Sequence, residues 1–318
     1  MHLQAPIKEP MSKPDVPVVD SKNTIPRKRP RPGLIHSELP RRRCVVVRGR
    51  RLTKIRQLHA SRHAVVFLAR WGLDMVIVKQ FIVDGTGEAE TRVLQTLEAA
   101  RAQTVALSGE SGSYQHVVRL LAVQRNLLIF EYAEHGEMFG VVHELGALDE
   151  MVCLYWIQQA ASGLAAIHGK KMCHLDVSLE NIVLDRHDKV QLCDFGLAQN
   201  CMVQQGERMG KAQYMAPEMW VPGGALDGRC CDVFSLGVCF FTMLFGIPPF
   251  AAAQERDLRW VYIATGRTAL LSLLDSWGRS RPVDDQTLDL LMCMLHESPA
   301  QRILVSDILR HPALSNLA

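Results

Sequence analysis

Three side chains between His174 and Gly196 have the types and spacing to handle a phosphorylated substrate. The stretch reads H-L-D-V-S-L-E-N-I-V-L, then a polar turn around Asp185-Arg186-His187-Asp188, then K-V-Q-L-C-D-F-G. Two short apolar runs about a polar turn predict a tight hairpin. Asp176 and Asn181 stand before the first run, and Asp194 stands just after the second. A hairpin brings its ends side by side, so two carboxylates and a carboxamide converge on one point. Hard oxygen donors of this kind suit Mg²⁺ bound to phosphate oxygens. A carboxylate beside them would accept a proton from an attacking hydroxyl.

The stretch resembles the catalytic core of eukaryotic protein kinases, whose patterns are H-R-D-L-x-x-x-N and D-F-G. Here they stand as His174-Leu175-Asp176 with Asn181, and as Asp194-Phe195-Gly196. Further family landmarks follow in order. Ala216-Pro217-Glu218 matches A-P-E. Asp232-Val233-Phe234-Ser235-Leu236-Gly237 resembles the opening of the family's central buried helix. Gly246-Ile247-Pro248-Pro249-Phe250 and Ser298-Pro299-Ala300-Gln301-Arg302 match later segments. The resemblance covers roughly residues 50 to 314 and implies an α+β, two-lobed protein-kinase fold. A small antiparallel β-sheet lobe (about 49–131) would precede a larger α-helical lobe (about 134–314).

Composition agrees with a globular chain of this size. Of 318 residues, 48% are hydrophobic and 22% charged, which is ordinary for a folded domain. The nine cysteines are scattered with no C-x-x-C, and there is no N-x-S/T sequon or apolar N-terminal signal. Reduced thiols and a cytoplasmic or nuclear protein are the simplest expectation. The longest apolar run, Val233–Gly246, is short for a membrane span and suits a buried helix.

Charge is uneven. Residues 1–51 carry 13 Lys/Arg against 4 Asp/Glu, so the chain's net +3 is concentrated at its start. Residues 1–48 read as a disordered, basic, Pro-rich tail. Its clusters Arg27-Lys28-Arg29-Pro30-Arg31 and Arg41-Arg42-Arg43 fit an import receptor or another acidic partner, and equally a solvated tail. Nothing within the fold region points to nucleic acid.

Residues 51–83 read as strands. Alignment on Val66 puts His59, Ser61 and Ala64 where the family has three loop glycines. Glycine lets backbone N–H groups approach phosphates, and bulkier residues reshape that cradle. Val76-Ile77-Val78-Lys79 resembles V-A-I-K. The resemblance implies that Lys79 holds the α/β-phosphates of ATP and pairs with Glu90 on the helix expected over 87–100, with Glu88 as the alternative. Residues 101–115 look like a surface insertion. Val117–Tyr132 gives two strands, and Phe130-Glu131-Tyr132-Ala133 resembles the hinge. Phe130 would back the adenine pocket, the backbones of Glu131 and Ala133 would hydrogen-bond the base, Val66 would cover it, and Glu137 would bind ribose or a basic substrate residue. A long helix is expected over 149–170.

By the same resemblance, Asp176 orients the substrate hydroxyl, while Asn181 and Asp194 hold Mg²⁺. Leu175 replaces the arginine that normally receives an activation-loop phosphate. The loop from Leu197 to Gln213 contains no Ser, Thr or Tyr. Receptor and phosphosite are absent together, so phosphorylation of this loop is not expected to switch the protein. Ser178 replaces a family lysine, and Lys211 stands where threonine is common. The expectation is an exchange of hydroxyl and ammonium that restores a cation at the γ-phosphate. The expected function is ATP- and Mg²⁺-dependent phosphorylation of protein Ser/Thr. The alternative is a pseudokinase serving as a nucleotide-binding or scaffold protein.

Overall fold

The computed structural model describes residues 45–83, 85–204, 209–315 and 317. The greater part of the basic tail, residues 1–44, lies outside the described residues. Alternating, β-branched segments build the first part of the fold as antiparallel strands: β1 (Val45–Val47), β2 (Arg50–Ala60), β3 (Ala64–Trp71) and β4 (Asp74–Phe81). Helix α1 (Glu88–Ser108) follows, then β5 (Leu120–Gln124) and β6 (Leu127–Glu131). The sheet order is β1-β2-β3-β4-β6-β5.

The second part is mainly helical. Strand β7 (Gly136–Glu137), α2 (Met138–Leu145) and α3 (Glu150–His168) lead into the short strands β8 (Met172–Cys173), β9 (Ile182–Leu184), β10 (Val190–Leu192), β11 (Gln199–Asn200), β12 (Met202–Gln204) and β13 (Ala225–Asp227). Helices α4 (Gly228–Phe245), α5 (Leu258–Thr265), α6 (Arg267–Ser276), α7 (Asp285–Met294) and α8 (Val305–Ile308) complete it. This is the two-lobed architecture that the motifs implied.

Three features differ from the sequence reading. Val45–Val47 pairs with Arg50–Leu52, and Val47 is fully buried, so the ordered sheet begins ahead of residue 49. The basic character also extends into the fold: residues 45–73 hold seven Lys/Arg and no Asp/Glu. Residues 101–108 are no insertion but two further turns of α1. Arg101 is buried there and donates to the Val117 carbonyl at 2.6 Å. An amphipathic helix ends where its buried side runs out, and the buried Ala100 and Arg101 carry that side past residue 100.

Two apolar clusters fix the lobes. One lies within the sheet and includes Phe67, Trp71, Val78 and Ile129. The other runs from the α1–β6 contact through α3 to α4. Helix α4 is long and apolar enough to cross a membrane, but 89% of it is buried inside the fold, so it serves as the central core helix. Asp149 caps α3, accepting from the N–H groups of Met151 and Val152. Gly163 lets α3 approach the preceding segment closely. A Cβ there would stand 2.6 Å from the His116 carbonyl oxygen and 3.1 Å from Leu192. Gly→Ala in an open helix gains about 1 kcal/mol. Here Gly163→Ala is expected to destabilise by about 1–3 kcal/mol, because backbone must move to admit the methyl. A higher urea midpoint for the variant than for the parent would contradict this.

Candidate active site

The expected hairpin is β9–β10, with Ile182 opposite Leu192 and Leu184 opposite Val190. It sets Asn181 and Asp194 at neighbouring ends. The loop carrying Asp176 is fastened from below by Asp232 on α4, whose carboxylate accepts from the backbone N–H of His174 (2.8 Å) and Leu175 (2.7 Å). His168 adds a 2.9 Å bond to the same carboxylate. His174 ties this loop to the segment carrying Asp194. Its Nε2 donates to the Cys193 carbonyl (3.0 Å), its Nδ1 accepts from the Asp176 N–H (3.3 Å), and its ring lies 4.9 Å from that of Phe195. Both ring nitrogens are thereby assigned in the neutral imidazole. Leu175 and Asp194 both take left-handed backbone, with φ of 62° and 60°. Such conformations are costly for non-glycine residues, and sites that need a fixed side-chain direction use them.

Asn181 directs its amide nitrogen at the Asp176 carbonyl and at Asp176 Oδ2, both 2.8 Å. The amide hydrogens are thus spent on Asp176, and the remaining coordinating atom of Asn181 is its carbonyl oxygen. Across the cleft, Lys79 Nζ lies 2.7 and 2.8 Å from the two Glu90 oxygens and 2.8 Å from Asp194 Oδ1. Burial depresses the Lys79 ammonium, but the two carboxylates more than offset it and hold its pKa above the ordinary value. Burial likewise raises Asp194, and Lys79 more than offsets it, so Asp194 stays ionised below the usual range. Glu88 is exposed, so of the two candidates Glu90 is the partner.

Ser178 and Lys211 meet. Lys211 Nζ donates to Ser178 Oγ at 2.8 Å and lies 3.2 Å from Glu180 Oε2, which in turn contacts the Tyr214 hydroxyl. Burial raises the Asp176 carboxyl above its ordinary pKa, and Lys211 is the strongest opposing charge. Gly210 passes so close that a Cβ would stand 2.8 Å from the Leu175 carbonyl and 3.3 Å from Asp176 Oδ1. With φ of 83°, this position is glycine's on both counts.

Strand register defines the cleft roof. Val66 pairs with Lys79, while Leu68, Ile77 and Phe130 align across three strands. Opposed residues share a face, so these two rows look the same way. Phe130 is buried in the core, Glu131 is exposed, Ala133 is buried, and Glu137 is exposed on β7 opposite Val183. Cys193 is partly buried against the core, and burial pushes its thiol far above the usual range.

Two features add to the sequence reading. The β2–β3 hairpin closes without glycine: Ser61 Oγ accepts from the N–H of His63 (3.2 Å) and Ala64 (3.1 Å), and Ser61 N–H donates to the Ala64 carbonyl (2.9 Å). A serine at a turn start is the signal that points to it. Leu175 is buried and, with the buried Met215 and Met219 and the half-buried Met209, lines a small cavity beside Asp176, an apolar setting where the family motif has arginine. Glu218 and Arg302, matched to the family from sequence, form a buried ion pair with two bonds of 2.6 and 2.9 Å.

An ionised Asp194 and a carbonyl-presenting Asn181 are the donor set a hard divalent cation takes. The site therefore fits Mg²⁺ on chemistry.

Comparison with known proteins agrees with this geometry. The protein kinase domain family matches residues 74–314, well over half of the chain. An abscisic acid-inducible protein kinase of Triticum aestivum is 32% identical over 190 residues, covering 58% of this chain and 55% of that protein. Serine/threonine-protein kinase SRK2C of Arabidopsis thaliana is 32% identical over 197 residues (60% and 56%). Serine/threonine-protein kinase ULK3 of Homo sapiens is 33% identical over 207 residues (63% and 42%). The chain thus spans about half the length of these relatives. With the two-lobed fold, the joined Lys79–Glu90–Asp194 cluster and the matched family domain in hand, the chain belongs to the protein kinase family.

Proposed function

We propose that the chain transfers the γ-phosphate of ATP to Ser or Thr hydroxyls of protein substrates, with Mg²⁺. The observation that carries this is the Lys79 contact to both Glu90 and Asp194, which links sheet, helix α1 and catalytic hairpin in one cluster. In this reading Lys79 turns its ammonium to the α/β-phosphates when nucleotide enters. Mg²⁺, held by Asn181 and Asp194, would neutralise charge on the phosphate oxygens. Asp176 takes the proton of the substrate hydroxyl as its oxygen attacks the γ-phosphorus. The bond to the β,γ-bridging oxygen breaks and ADP leaves. Asn181 holds Asp176 Oδ2, which leaves Oδ1 toward Gly210 for the incoming hydroxyl. Lys211, supported by Ser178, supplies a cation beside Asp176. The names of the relatives favour Ser/Thr over Tyr.

The loop Leu197–Gln213 has no hydroxyl side chain, and Leu175 occupies the arginine position among apolar neighbours. We infer that phosphorylation of this loop does not control the enzyme. The basic tail is proposed to contact an acidic partner or an import receptor.

A second reading, a nucleotide-binding scaffold without transfer, is favoured by one observation: the hairpin amides are engaged by Ser61. Asp176→Asn separates the two. Loss of transfer by about 10²–10⁴-fold with nucleotide binding retained is the expected result, in line with removal of a general base. A parent protein that binds nucleotide and phosphorylates no peptide in a mixed library would give the second reading preference.

A further inference from the structure

The nucleotide-binding reading leaves a gap that the β2–β3 hairpin itself fills. A phosphate cradle needs free N–H groups or cations above the phosphate chain. Three amides of the hairpin tip, those of Ser61, His63 and Ala64, are already hydrogen-bonded within it. Of the amides from Ser61 to Ala64 only that of Arg62 is left over, so a side chain must supply the further donors to a phosphate.

Register identifies which one. His59 pairs with Val66, and Val66 pairs with Lys79. Directly opposed residues in antiparallel strands project to the same face. Lys79 projects into the cleft, where it meets Glu90 and Asp194. His59 therefore projects into the cleft as well, two strands away, at a spacing of about 10 Å. The row His59–Val66–Lys79 is the row of the phosphate-binding lysine. The next row toward the hinge, Leu68–Ile77–Phe130, is apolar on β3, β4 and β6 and suited to a base, with Arg56 opposite Leu68 at its β2 end. His59 thus sits over the phosphate chain, with a cation from Lys79 on the far side of the gap.

Its chemistry is unspent. His59 is exposed and makes no hydrogen bond or ion pair among the described residues. The other two polar candidates at the tip, Arg62 and His63, bond to one another at 2.9 Å. We propose that His59 is a nucleotide-binding residue whose imidazole N–H donates to the phosphate chain of the bound nucleotide, the place that loop amides hold where glycines are present. This rests on the nucleotide-binding reading above.

The test is calorimetric binding of ADP with Mg²⁺ and of adenosine to the full chain, so no turnover is involved. His59→Ala is expected to weaken ADP by about ten- to a hundredfold, the scale of one hydrogen bond to a charged group, and to leave adenosine unchanged. His59→Lys is expected to recover most of the ADP affinity, since it returns a donor and a charge at the same position. Unchanged ADP affinity in His59→Ala, or an equal loss for ADP and adenosine, overturns the assignment while leaving nucleotide binding intact. A parent chain that binds neither ligand overturns both.

Discussion

Lys211→Met is expected to lower kcat by about 100-fold, the loss seen when one preorganised group stabilising transition-state charge is removed. It is also expected to move the acidic limb of the pH–rate profile to higher pH. The sign follows from Asp176. Burial raises its carboxyl, and the Lys211 ammonium is the strongest charge pulling it back down. Removing the ammonium therefore raises the Asp176 pKa further, and the ionised base needed for proton acceptance appears only at higher pH. The kcat/KM profile of the free enzyme reports that pKa. Ser178→Lys combined with Lys211→Met moves the ammonium to the other side of the 2.8 Å contact, and part of the lost rate should return. Full transfer by Lys211→Met with an unmoved limb would remove Lys211 from the site. Because the two side chains touch, the single changes are not expected to add.

Arg302→Met should cost about 3–5 kcal/mol of stability, because it strands a buried charge on Glu218. The Arg302 side chain is 0% exposed and that of Glu218 is 8%, with two bonds between them. Arg302 also donates to the carbonyls of His296, Cys230 and Glu297 and lies over the Phe234 ring. Pairing the change with Glu218→Gln removes the stranded charge. The double variant is then expected to be more stable than Arg302→Met alone. Urea unfolding followed by circular dichroism measures both, and a double variant less stable than the single one would mean that the carbonyl contacts, not the ion pair, dominate.

Much of the site is legible in the sequence because its residues sit at fixed offsets along local elements. Asp176, Asn181 and Asp194 frame one hairpin, so their convergence follows from spacing. Lys79 and Glu90 lie eleven residues apart on adjoining elements, and only the choice between Glu90 and Glu88 needs the folded chain. The meeting of Ser178 and Lys211 spans thirty-three residues and is reachable only through the family pattern. The end of α1 is hidden because Ser108-Gly109-Glu110-Ser111-Gly112 signals a loop, while buried Arg101 upstream does not look like a core residue. Missing glycines make the hairpin at Ser61 look impaired. A hydroxyl accepting two backbone N–H groups closes the turn instead, with no left-handed residue required, though it engages amides that glycines would leave free.

The apolar setting of Leu175 carries a consequence for signalling in time. A kinase whose active arrangement depends on a loop phosphate stores a record of past encounters, erased only when a phosphatase arrives. Methionines packed around Leu175 store nothing. On the proposed function, output from this protein follows present amounts of nucleotide, substrate and protein, and stops when they do.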